Sequence, residues 1–285
     1  MEQLFLSRID GDAAGVLSDI EAVDKEFRGL DREILAFFLA VMFLRVPARR
    51  EEMEELVANL DKFQMECLAQ TPGALERGLR EIEEKKGEKS QVSADQLRKF
   101  LLGDPIVKAS PVVSLGPIFL LSPALMDIFY KMRWKILKAD DRFIFFTSDN
   151  PVTYTDPSAR GAFSAGLNSA NIQVTFPLSS RRCLFATHDV ELQRRLVNTA
   201  TPKEVRQILA EHLSPTVYKR ATEEQIAKIN QRTVEQAKRF AFSQELNEAV
   251  TNFMKRRFCK QSQLRTTLKI IKDSRTGIFL AGRGR

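Results

Sequence analysis

The chain of 285 residues contains only two histidines, three cysteines, one tryptophan and three tyrosines, and each scarcity excludes something. Cys67, Cys183 and Cys259 are far apart and odd in number, and no CxxC or Cys/His cluster joins them. That excludes a disulfide framework and a structural zinc site, and a reduced, cytoplasmic setting fits best. There is no P-loop, GxGxxG, GxSxG or HExxH. The phosphate cradles, nucleophile elbows and zinc-protease helices that spacing alone reveals are therefore missing. Internal repeats and low-complexity tracts are absent as well. The opening MEQLFLSRIDGDAAG is acidic and broken, with no basic region before an apolar core, so it predicts no signal peptide.

Long apolar runs are scarce. Residues 109–126, ASPVVSLGPIFLLSPALM, make 18 positions without a charge, near the lower limit for a spanning helix. Pro111, Pro117 and Pro123 do not suit a continuous helix, which disfavours a membrane span and predicts a buried loop and helix. The run ILAFFLAVMFL at 34–44 is only 11 residues and reads as a buried core helix.

What is present is phenylalanine, 20 copies in a chain that is 44% hydrophobic, enough to bury a core. The net charge of +7 is unevenly placed. Residues 1–70 hold 15 Asp and Glu against 8 Lys and Arg, whereas residues 218–285 hold 16 Lys and Arg against 6 Asp and Glu. A basic end of this kind suggests an anionic partner, nucleic acid, engaged through 218–285, including Lys255, Arg256 and Arg257. The acidic end offers an alternative, docking on a basic protein partner.

Hydrophobic period places helices at 30–45, 49–68, 74–86, 93–102, 123–138, 189–197, 202–213, 222–242 and 244–257. Strands are expected at 143–146, 172–176 and 183–186, with a short hairpin from 267–271 and 277–280. The fold class is α+β, mostly helical with a small mixed or antiparallel sheet. Residues 1–243 read as one domain and 244–285 as a basic extension.

Two polar residues fall on apolar faces. At roughly 100° per residue, Arg45 lies about 20° from Ile34, on the face of Phe38 and Val41. A guanidinium there needs a carboxylate, phosphate or carbonyl partner. By the same count Asn230 sits in the middle of the stripe formed by Ile226, Val234, Ala237 and Ala241, and a buried amide must find partners. The third polar feature is SDNP, Ser148-Asp149-Asn150-Pro151, which ends the apolar run FIFF. It is good turn chemistry. It would also hold Asp149 at the end of a buried strand, where a carboxylate can act as a base or bind a divalent metal. His188 and Asp189 follow another strand and read as loop and helix-cap residues.

Taken in order, LAFFLAVMFLRVPARR at 35–50, Trp134, FIFFTSDNPV at 143–152, VTFPLSSRRCL at 174–184 and IAKINQRTVEQAKRFAF at 226–242 resemble the bacterial domain-of-unknown-function 4238 family over roughly residues 1–243. The resemblance draws attention to Arg45, Pro47, Ser148, Asp149, Asn150, Pro177, Leu178, Ser179 and Asn230. It implies no chemistry of its own. Members of that family commonly carry an upstream segment with a His and Pro motif, whereas this chain has no histidine before His188. An activity that needs such a segment would be absent here or would require a partner.

These readings combine into one functional expectation, a nucleic-acid-processing protein that cleaves phosphodiesters, of defence or toxin type. Arg45 would bind a phosphate, Asp149 would serve as base or metal ligand, and Asn230 would orient the substrate. Ser148, Asn150, Ser179, Arg181 and Arg182 would line the binding surface. The alternative is a non-catalytic nucleic-acid or protein-binding module.

Overall fold

The computed structural model describes the chain except residues 1, 23, 25, 104, 160–165, 198, 200, 245–249, 251, 254–255, 257–266, 274–276 and 284–285. It divides into two compact units, one made of Met1–Arg49 with Pro117–Arg285 and the other of Arg50–Gly116. The division falls inside the span 1–243. The sequence carries no sign of it, because the first break lies within helix α3 (Pro47–Gln70).

The larger unit is α+β. Helix α1 (Glu2–Ala22) buries Ile9, Ala13, Val16 and Ile20, a single face at helical spacing, and packs on α2 (Gly29–Arg45). Sequence reasoning missed α1, because Gly11, Gly15 and the scattered acids dilute its pattern. Helix α6 (Gly116–Lys131) leads directly into strand β1 (Arg133–Lys138). The single helix expected over 123–138 is thus corrected at both ends. The helix runs through Pro117, in its first turn where a missing N–H costs nothing, and through the exposed Pro123. In β1, Trp134 and Ile136 point inward while Arg133 and Lys135 are exposed, the period of a strand. Among the described residues, Val112–Lys131 is the stretch that could cross a membrane by length and composition alone.

Strands β3 (Thr153–Thr155), β4 (Gln173–Pro177), β5 (Arg182–Thr187) and β6 (Val217–Arg220) join β1 in a five-stranded sheet. Its order is β3-β4-β5-β1-β6. Only β1 and β6 run parallel, so the sheet is mixed. Strands β8 (Thr267–Asp273) and β9 (Gly277–Arg283) pair antiparallel, as expected for the C-terminal hairpin. Helices α7 (Val190–Val197) and α8 (Pro202–His212) match their predicted spans closely. Helix α9 (Glu223–Gln236) begins at a capping box of Thr222 and Gln225. It stops at Gln236, six residues short of the predicted end at 242.

Arg32 of α2 is fully buried. Its guanidinium donates to the carbonyl oxygens of Tyr130, Met132 and Ser214 and lies 4.4 Å from the centre of the Trp134 ring. Two of those carbonyls, at the end of α6, carry the negative end of a helix dipole. Burial pulls the group down to about 10, so it stays charged at neutral pH. Arg32 ties α2 to the α6–β1 junction.

In the smaller unit, Ala69 of α3, Leu75 of α4 (Ala74–Lys86) and Leu101 of α5 (Ala94–Leu102) form a small core with Met65, Ala94 and Leu97. Arg98 crosses this unit, pairing with Glu76 and Asp95 and donating to the Ala69 carbonyl.

Candidate functional site

The segment 143–146 is extended but joins no strand ladder, which corrects the expected strand. A side chain serves its main chain instead. The Asn230 carbonyl accepts from the Phe146 N–H at 2.9 Å and its amide donates to the Ile144 carbonyl at 2.8 Å. These are the two bonds that a parallel neighbouring strand would make around Phe145. Between them, the Phe145 N–H donates the other way, to the Ser180 carbonyl at 2.9 Å. Ile144 and Phe146 pack with Val234 of α9, while Phe145 joins Leu137, Cys183, Ile226 and Ile229.

SDNP grips the far end of the same helix. The Asp149 Oδ1 accepts from the Lys238 N–H at 2.9 Å and Oδ2 from the Arg239 N–H at 2.6 Å. The Asp149 N–H donates to the Phe240 carbonyl at 3.0 Å. Asn150 donates its amide to the Gln236 carbonyl, and the Ser148 hydroxyl donates to the Asn150 carbonyl while accepting from the Asn150 N–H. Strand β2 (Thr147–Ser148) then pairs with β7 (Ala241–Phe242). The chain is pulled out of the helix at Ala237, whose ψ is 140°. This is why α9 ends where the apolar period continues. The turn is a clamp.

The predicted residues therefore separate. Arg45 finds the carboxylate that its position demanded, but in Asp10 of α1, 2.9 Å away. Asn230 and Asp149 serve main-chain groups at two different stretches. No hydrogen bond links any two of the three, so the expected cluster does not assemble through direct contacts. Arg181 donates to the carbonyls of Asp140 and Phe143. Arg182 pairs with Asp24 at 2.9 Å. His188 sits 2.7 Å from the Leu167 carbonyl, and Asp189 caps α7 through the Leu192 N–H while holding Arg133 and Ser214. Arg256 is helical and exposed, while Lys255 and Arg257 lie outside the described residues. No group of three or more His, Cys, Asp or Glu that could hold a metal occurs among the described residues.

Two of the predicted residues line one groove. Ser148 and Ser179 both line a groove of about 590 Å³, walled by Met42, Phe145, Phe176, Pro177, Leu178 and Phe242. The Ser179 hydroxyl closes the β4–β5 turn by accepting from the N–H groups of Arg181 and Arg182. That turn and the SDNP clamp both contribute to the groove's lining. Beside the groove stands a feature that sequence reasoning placed on a helix. Phe240 and Phe242 are 59% and 52% exposed, and their rings stack with centroids 6.2 Å apart at 29°. Lys238 and the exposed Arg239 immediately precede them. The signal was visible in KRFAF, where aromatics two apart follow two cations, but the helical period masked it.

Fold and site together define a helix-rich α+β protein with an apolar groove and an exposed aromatic pair at its rim. The chain belongs to the family described as protein of unknown function, DUF4238, whose model matches residues 1–246. No curated protein and no solved structure matches it. The groove-lining residues and the KRFAF segment lie inside the matched residues.

Proposed function

We propose that the protein is a non-catalytic nucleic-acid-binding module that takes single strands on the Phe240–Phe242 platform. The observation that carries this reading is the stacked, exposed ring pair beside Lys238 and Arg239. Large apolar rings left in water are costly, and soluble proteins keep such patches for binding. Bases stack on aromatic faces whatever their sequence, while neighbouring cations meet the backbone. Two aromatics on one face of a strand are a recurrent way of holding unstacked bases. The basic balance of 218–285 supports the same partner.

Cleavage, the other reading of the sequence, rested on Arg45, Asp149 and Asn230 acting together. With Asp149 holding two main-chain N–H groups and Arg45 holding Asp10, binding ranks ahead of it. The test is fluorescence anisotropy of a labelled single-stranded oligonucleotide and of its duplex across a salt series, with gels run with and without added divalent metal. The reading expects tighter binding to the single strand, weakening with salt, and an intact oligonucleotide. Equal affinity for the duplex, or metal-dependent cleavage lost in Asp149→Ala, would overturn it.

A further inference from the structure

Helix α3 is 24 residues long and buries only Ala69. A helix of that length gains most of its stability from packing an apolar face. The face that α3 packs is narrow, with Met65 and Ala69 turned to the core of the smaller unit. At about 100° per residue, Met53, Leu56, Leu60, Phe63 and Cys67 fall within roughly 60° of one another's centre line, on the side opposite Ala69. Their spacing alternates three and four residues, the a and d positions of a heptad seam. Leu56 is 36% exposed and Leu60 42%, with Leu68 on the edge at 49%. The helix thus has two apolar faces, and the wider one carries leucines into solvent.

The rims of this second face are acidic. Glu66 flanks one side at roughly 120° from Leu60, and Glu54 and Asp61 flank the other at about 100–120°, where Arg50, about 80° away, is engaged with the Ser114 hydroxyl. Lys62 lies on the far side, roughly 160° away. A second copy of the chain would set acid against acid, and an anionic membrane would be repelled. From the combination of a heptad-spaced apolar seam and acidic rims, we infer that α3 is a docking surface for a basic amphipathic helix of a partner protein. Leu56 and Leu60 would fill the partner's apolar face, and Glu54, Asp61 and Glu66 would select lysine or arginine at its edges.

The probe is a fluorescein-labelled amphipathic peptide of about 18 residues, leucines on one face and lysines on the other, set against a counterpart carrying glutamates. Titration into the full chain should show binding of the lysine peptide and none of the glutamate peptide. The double substitution Leu56→Ser with Leu60→Ser keeps every charge and should weaken binding roughly tenfold or more. Its thermal midpoint should stay within about 2 °C of the parent, because surface changes cost little. Undiminished binding by the double variant would mean that charge alone attracts the peptide. Equal binding of both peptides, a clearly lowered midpoint, or self-association of the parent that the double variant abolishes would each overturn the inference as well.

Discussion

Asp149 binds Arg239 through the main chain, with its Oδ2 2.6 Å from the Arg239 amide nitrogen. Its other oxygen takes the Lys238 N–H, so both arms of the carboxylate hold the bend that carries Phe240 and Phe242. A carboxylate close to a helix C-terminus is disfavoured by the helix dipole, and two charge-assisted bonds outweigh that.

Asp149→Ala is therefore expected to destabilise the chain by about 2–4 kcal/mol, and Asp149→Asn, which keeps one acceptor, by about 1–2 kcal/mol. Urea unfolding gives both values. An alanine variant as stable as the parent would show that the clamp holds nothing.

Asn230 supplies an acceptor and a donor in the same plane. Asn230→Leu strands the Phe146 N–H and the Ile144 carbonyl and should cost about 2–5 kcal/mol. Asn230→Asp keeps the acceptor but turns a carboxylate oxygen toward the Ile144 carbonyl. Only the protonated acid can donate there, so this variant's carboxyl is raised in the fold. Its stability relative to the parent should improve on acidification and fall away as pH rises. Urea midpoints at pH 4.5 and 7.5 check the sign.

Asp189 predicts the opposite dependence. Burial alone would raise its carboxyl, but bonds from Arg133, Ser214 and the Leu192 N–H outweigh burial and hold it below the usual range. A lowered carboxyl contributes stability above its unfolded value, near 4, and loses it as pH falls through the folded value. Asp189→Asn should be less stable than the parent at pH 7, and the gap should close below pH 4. Thermal unfolding across that range measures the closure.

Cys183 is fully buried, and burial pushes its thiol up to about 12. In a Cys259→Ser background, a maleimide at pH 7.5 should label Cys67, which is partly accessible, and leave Cys183 unmodified until urea is added. Rapid labelling of Cys183 in the native protein would contradict the packing of β5 against α9.

The sequence made parts of this structure legible for local reasons. Asn230 stood out because a helix wheel put an amide among Ile226 and Val234, and both of its partners are now identified. Arg45 needed a carboxylate by the same logic, yet Asp10 could not be named, since α1 itself was hidden. The end of α9 was unreadable locally. No glycine or proline stops it, Ala237 and Ala241 keep the period, and the force that ends it comes from Asp149, far earlier in the chain. Arg32 looked like an ordinary charge near a helix start, because its partners are carbonyl oxygens remote in sequence. Strand β1 reads as helix in the sequence although Arg133, Trp134, Lys135 and Ile136 alternate, because the helix before it ends without a breaking residue. The groove needed the fold, since Ser148 and Ser179, 31 positions apart, come to line one groove only in the folded chain.

The most direct test of the account compares the parent chain with a Phe240→Ala, Phe242→Ala double variant in binding a labelled single-stranded oligonucleotide at fixed salt. Base stacking on an aromatic side chain is worth about 1–3 kcal/mol, so losing both rings should weaken binding by roughly 30-fold or more while the unfolding midpoint stays near that of the parent. Unchanged affinity in a folded double variant would contradict the account and leave the ring pair without a role in nucleic-acid binding.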